Sequence, residues 1–334
     1  MNYSKASNLH KDALVWDMVV PTLDAGPPEE KYAALSRMAS SGFDFVSLTV
    51  GLDWDGVDDA LGNIGRERAY FLSKPDQYCL IETVGDILTA KKKNRLAVSF
   101  HFQGTNPIDY DLNMVETFYK LGVRHMLMAY NAKNAVGDGW FEPGDGGLSR
   151  FGVHLIEEMN RIGMIVDGSH TGYRTTMEIF EISKDPVIFS HSNPRSICDH
   201  GRNIRDDQIL ACAASGGVIG ICGVSLFLGD PEASTDALVN HIKYISDLAG
   251  PQHVGLGLDY VNDQQALAQK IDSQVAWAPP KESFELQPQK EVKYFQPEQL
   301  PGLTDTLLNA GYSELDVRGF LGENWLRVAR QVWK

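Results

Sequence analysis

The sequence predicts an α/β protein closed into a (β/α)8, TIM-like barrel, and three observations carry that prediction. Short apolar, β-rich runs recur eight times. Helical stretches separate them, as parallel strands joined by crossover helices require. The length of 334 residues suits one such barrel with insertions.

The eight runs cover residues 13–17, 43–50, 96–101, 124–130, 164–167, 187–191, 217–222 and 253–259. Three of the connecting helices have clear ends. Residues 115–121 are amphipathic and stop at Gly122, and residues 151–162 place Leu155, Ile156, Met159 and Ile162 at helical spacing before Gly163. Residues 175–182 precede Asp185-Pro186, a stop before the sixth run. After the eighth run, residues 262–299 lack apolar periodicity and carry Pro279, Pro280, Pro288 and Pro297. They read as an excursion over the catalytic face, followed by closing helices over 303–332. One domain, residues 1–334, is the expected organisation.

The chain carries 30 basic and 44 acidic residues, a formal charge of -14. That argues against a nucleic-acid partner and against electrostatic docking on an anionic membrane. The first residues form no apolar signal core, and no run of about 18 apolar residues is present. Cys79, Cys198, Cys212 and Cys222 lie far apart without a CxxC pair. A reduced, cytoplasmic protein acting on small molecules is the expectation.

Barrel active sites form at the carboxyl ends of the strands. Polar residues stand at that ring: Asp17 ends the first run, His101 ends the third with Gln103 just beyond, and Tyr130 ends the fourth, followed by Asn131 and Asn134. Asp167-Gly168-Ser169-His170 follows the fifth run, His191 ends the sixth and Asp259 the eighth. His101 and Gln103, two apart, share one face of an extended strand. Neutral imidazoles with a carboxylate suit zinc or a similar divalent ion, and hydrogen bonding in a polar barrel mouth is the alternative. Asp259 is a candidate metal ligand or general base. Arg202, on the loop after the sixth run, is a candidate grip for a substrate carboxylate, with Asn134 and Asp17 as further substrate contacts. No phosphate-loop lysine accompanies Gly144-Asp145-Gly146-Gly147, and no Gly-x-Ser-x-Gly elbow occurs.

Several stretches taken together resemble the membrane (renal) dipeptidases, zinc peptidases of the amidohydrolase-like barrel group. They are residues 146–152, 158–170 and 186–192, Arg202-Asn203 with Asp206-Asp207, and residues 253–260 and 321–328. The resemblance implies a barrel of the metallo-dependent hydrolase type, a two-metal site, a dimer, and hydrolysis of dipeptides. It implies that His170 and His191 bind one metal, that Arg202 holds the substrate carboxylate, and that Asp259 is a ligand and base. Elsewhere this chain departs from the family pattern. The first-strand Asp-x-His-x-Asp is here Asp17-Met18-Val19-Val20-Pro21, so two ligands are replaced by Val19 and Pro21. The bridging glutamate aligns with Gln103, and the substrate-polarising histidine with Tyr130.

The expectation is therefore a dipeptidase-like hydrolase with an incomplete, single-metal site. His170 and His191 form it, completed by Asp259, Gln103 and His101, with zinc as the ion. Tyr130 donates a hydrogen bond to the substrate carbonyl or oxyanion. The alternatives are a lyase, isomerase or different hydrolase on the same scaffold, or a silent binding protein.

Overall fold

The computed structural model describes residues 5–21, 28–263, 269, 273–274 and 292–334. Nine strands are present among them: β1 Trp16–Val20, β2 Phe45–Leu52, β3 Tyr78–Leu80, β4 Leu96–Gln103, β5 Val123–Leu127, β6 Ile165–Asp167, β7 Val187–Ile188, β8 Ile219–Ile221 and β9 Val254–Leu256. Eight of them, all but β3, form one parallel ring that matches the eight expected runs. Its order is β1-β2-β4-β5-β6-β7, with β8-β9 returning to β1. Asp17↔Leu256 joins β1 to β9, and a parallel bridge between Phe189 and Ile219 closes β7 onto β8. The short strand β3 was not expected; it pairs outside the ring with the first half of β4.

Side chains alternate along each strand, so every second residue enters the barrel. On β2 the inward row is Phe45, Ser47 and Thr49, and on β4 it is Ala97, Ser99, His101 and Gln103, with Phe45 opposite Ala97 and Thr49 opposite His101. The barrel floor is apolar: Trp16, Phe45, Ala97, Ile165, Ile188 and Val218 pack together. The terminal helix Asn324–Val332 seals that floor with Trp325, whose indole Nε1 donates to Leu256 O at 3.1 Å. Gly255 is required there, because a Cβ would collide with the Trp325 ring. The outward row, including Val46, Leu48, Val98, Phe100 and Phe102, packs in a larger cluster with the surrounding helices. Each such side chain contributes about 1.5–3 kcal/mol of burial free energy. Polarity therefore rises along the barrel axis, from floor to carboxyl rim.

The three helices with clear sequence ends are observed as Asn113–Leu121, Arg150–Ile162 and Tyr173–Ile182, the first two ending at left-handed Gly122 and Gly163. The closing helices run over Leu300–Asn309, Glu314–Arg318 and Asn324–Val332. Most of the expected 262–299 excursion, including Pro279, Pro280 and Pro288, lies outside the described residues. Where the chain is described again, Tyr294 bridges Val224 in antiparallel fashion and is buried near the rim. The four cysteines are free thiols. Among the described residues, no helix is long and apolar enough to cross a membrane.

Candidate active site

The carboxyl rim gathers residues from five strand ends. His170 and His191, from the loops after β6 and β7, meet with their Nε2 atoms 2.9 Å apart. Both Nδ1 atoms are committed to oxygen: His170 Nδ1 lies 2.6 Å from Asn131 Oδ1, and His191 Nδ1 lies 2.7 Å from Ser190 Oγ. Burial, with the Arg202 charge acting in the same direction, holds both imidazoles well below the ordinary histidine value, so both are neutral at pH 7.

Asp259 stands at the rim after β9, half-buried, with its carboxyl pushed up to about 7 by burial and drawn back by Arg202. Its Oδ2 is 4.0 Å from Cys222 Sγ. Tyr130 stacks on His170, centroids 4.4 Å apart, and meets Trp54 edge-on at 5.3 Å. Burial and the nearby Asp259 push its hydroxyl up, so it keeps its proton and remains a donor. Asn131, His170 and Asp259 all adopt left-handed backbone, with φ of 62°, 62° and 56°. Such conformations cost of order 1–3 kcal/mol each in non-glycine residues, and they concentrate at functional sites.

Arg202 is buried under the rim, where Nη2 donates to His191 O at 2.7 Å and Nη1 to Ser192 Oγ at 3.1 Å. Among the described residues, its buried Nε has no hydrogen-bond partner. A cavity of about 200 Å³ opens beside His170 and Arg202, lined also by Trp140, Tyr173, Arg205 and Gln208.

Three expected site residues are engaged elsewhere. His101 points into the barrel below the rim, with Nδ1 3.0 Å from Ser47 Oγ and Nε2 2.9 Å from Thr49 Oγ1. Both of its nitrogens are thus held by β2 hydroxyls, and it does not join the histidine pair as a ligand. Asn134 is held within the rim: its amide donates to Asp53, Thr105 Oγ1 and Met128 O, and its oxygen accepts from Val136 and Gly137. Asp17 is fully enclosed, and its Oδ1 accepts the backbone N–H groups of Val19 and Leu258. It supports the β1–β9 seam from beneath. Gln103 remains at the upper end of the inward row, donating through Nε2 to Thr49 Oγ1 at 2.9 Å.

Sequence reasoning missed Asp53, the hub beneath this rim. Its Oδ1 accepts from Thr105 N and Asn106 N, and its Oδ2 from Tyr130 N and Asn134 Nδ2. One carboxylate thereby ties the loops after β2, β4 and β5 together. Gly104, at φ +131°, leaves room for it, since a Cβ there would overlap the carboxylate. Trp140 and Tyr294 were missed too, because their chemistry depends on neighbours remote in sequence. No local signal marked any of the three.

The ring of eight strands and the polar rim define a (β/α)8 barrel, a fold shared with metal-dependent hydrolases. The membrane dipeptidase model, peptidase family M19, matches residues 3–272. The chain belongs to that family. It is 34% identical over 212 residues to an uncharacterized dipeptidase of Schizosaccharomyces pombe, covering 61% of this chain and 51% of that one. It is 30% identical over 259 residues to Dipeptidase verJ of Clonostachys rogersoniana, covering 77% of this chain and 61% of that one. The matches thus span between half and two-thirds of these curated relatives. Among solved structures, an amidohydrolase from Pseudomonas aeruginosa superposes with a TM-score of 0.89 at 29% identity, covering 99% of both chains.

This family implies a divalent metal. His170 and His191, each with Nδ1 held by oxygen and their Nε2 atoms facing each other at 2.9 Å, supply two of the three or four donors that one such ion takes. The family's two-ion set does not fit. Val19 is buried in the apolar cluster of Trp16 and Phe45, Pro21 has no donor side chain, and Gln103 brings no charge. Among the described residues, no three His, Cys, Asp or Glu side chains converge on one point.

Proposed function

We propose that this chain is a dipeptidase-type hydrolase with a one-ion site, acting on a dipeptide or similar small amide that carries a free carboxylate. The observation that carries the reading is the convergence of His170 and His191 at 2.9 Å with both Nδ1 atoms already satisfied. Zinc is the ion we name, because imidazole nitrogen suits it. When bound, it supplies Lewis acidity toward water and toward a carbonyl oxygen. Arg202 pairs with the substrate carboxylate through the donors it does not spend on His191 O and Ser192. The protonated Tyr130 hydroxyl donates to the oxygen on which charge develops. Asp259, with a carboxyl near pH 7, takes a proton from water and returns it to the leaving amine. A single domain, a homodimer and a cytoplasmic location belong to the same proposal.

A second reading has its own support. Val19, Pro21 and Gln103 remove the charged ligands on one side of the site, which favours a lyase, isomerase or other hydrolase that needs less charge compensation. Metal analysis with a dipeptide panel separates the two. About one equivalent of metal, lost in a His170→Ala/His191→Ala double variant, together with turnover abolished by C-terminal amidation of the dipeptide, is the expected result. Two equivalents overturn the one-ion site. A metal-loaded protein that turns over no dipeptide overturns the peptidase reading.

A further inference from the structure

We propose that Asn131 and Trp140 are positioning residues that lock His170 in a single tautomer, with the Nε2 lone pair turned toward His191, and couple that orientation to the loop bearing Arg202. The proposal rests on the one-ion reading of the histidine pair.

An indole N–H only donates. Trp140 Nε1 lies 2.7 Å from the Asn131 side-chain amide, so the atom it meets is the oxygen, Oδ1. The same oxygen lies 2.6 Å from His170 Nδ1. An amide oxygen has two lone pairs and accepts both bonds. The hydrogen of a neutral His170 ring therefore sits on Nδ1, and Nε2 is bare.

The two facing imidazoles are not equivalent in this respect. His191 Nδ1 meets the Ser190 hydroxyl, which donates or accepts according to its rotation. One ring is locked and the other adapts. Without a cation, His191 turns an N–H toward His170 Nε2. A cation held by both rings would require Ser190 to accept from His191 Nδ1–H, leaving both Nε2 atoms bare.

Trp140 is itself held from two sides. Its backbone N–H donates to His170 O at 3.0 Å. Its ring lies 5.5 Å from the His200 ring, and Gly201 abuts it so closely that a Cβ there would come within 2.6 Å of the indole. His200 Nδ1 in turn accepts the Arg202 backbone N–H at 3.0 Å. Movement of the indole thus displaces both the His170 tautomer lock and the seat of the carboxylate-binding arginine.

The test begins on metal-free protein labelled with 15N-histidine, read by long-range 1H–15N NMR, with the His170 signals assigned by a His170→Gln variant. Wild type is expected to show His170 as the Nδ1–H form. Trp140→Phe, which lets the amide flip, and Asn131→Gly, which suits φ +62° but removes the acceptor, are expected to lose that lock. Asn131→Asp keeps an acceptor and the backbone angle, and is expected to retain it. Cobalt(II) titration, followed by its visible absorption, is then expected to show binding weakened about 10- to 100-fold in Trp140→Phe and Asn131→Gly, with Asn131→Asp close to wild type. An Nε2–H form in wild type, or unchanged tautomer and cobalt affinity in both disruptive variants, overturns the proposal. A locked tautomer in a wild type that binds no cobalt upholds the positioning role and overturns the one-ion reading instead.

Discussion

Replacing Asp53 with alanine tests whether a single carboxylate assembles the catalytic rim. The side chain is only 1% exposed and accepts three backbone N–H groups, from Thr105, Asn106 and Tyr130, at 2.7–3.1 Å. Asn134 also donates to it but retains Thr105 Oγ1 and Met128 O as partners. Three buried donors left without an acceptor cost about 2 kcal/mol each, roughly 6 kcal/mol in all. Against this, burial pushes the Asp53 carboxyl up from 3.8 to about 6. Above that pH the wild type bears a burial cost of about 3 kcal/mol, at 1.36 kcal/mol per pH unit, which the variant escapes. The net loss at pH 8 is therefore about 3 kcal/mol. With an unfolding entropy of about 2.1 cal/mol/K per residue over 334 residues, Tm falls by about 4 °C. The raised pKa means that Asp53 stabilises most below about pH 4 and loses that contribution as pH rises through about 6. The destabilisation should consequently grow toward about 6 kcal/mol on acidification to pH 4. Calorimetry across that range, with Asp53→Asn as an isosteric companion, is the assay. A Tm change under about 1 °C at pH 8, or a smaller loss at pH 4 than at pH 8, would refute the hub.

Asp17 offers a complementary pH test. Burial first, and the Asp259 charge as a lesser cause, push its carboxyl up from 3.8 to about 7, so wild-type stability should fall between about pH 4 and pH 7. Asp17→Asn removes that titration, and urea unfolding should show the variant gaining on wild type by about 4 kcal/mol across the window; a pH-independent difference would count against a buried, raised carboxyl. Arg202→Lys keeps the charge but loses the fork that reaches His191 O and Ser192. KM for a dipeptide should rise about 10- to 100-fold, the equivalent of about 1.5–3 kcal/mol for a charged hydrogen bond; a fall in kcat at constant KM would contradict the carboxylate role.

The barrel was legible because its signal is local and repeated. Each of the eight expected runs overlaps a ring strand, the first only at Trp16 and Asp17, since a strand buried on both faces is largely apolar along its length. The strand β3 escaped notice because three residues, Tyr78-Cys79-Leu80, are too few to establish a period. His101 and Gln103 were correctly placed on one strand face, yet sharing a face does not decide what a side chain meets across the sheet. Ser47 and Thr49, some fifty residues earlier, occupy both His101 nitrogens. Asn134 is likewise bonded to Asp53 and backbone, and Asp17 to two backbone N–H groups through Oδ1, while among the described residues its buried Oδ2 has no partner.

The sequence by itself determined the class of fold, through periodicity, and the family, through the resemblance of several stretches; neither needs coordinates. Tertiary structure alone decided which polar groups are spoken for. Hydrogen-bond capacity is finite, and its partners come from strands far apart in the chain. Only the closed ring brings Nε2 of His170 and His191 to 2.9 Å, places Asn131 behind one of them, and sets Asp53 under three loops at once.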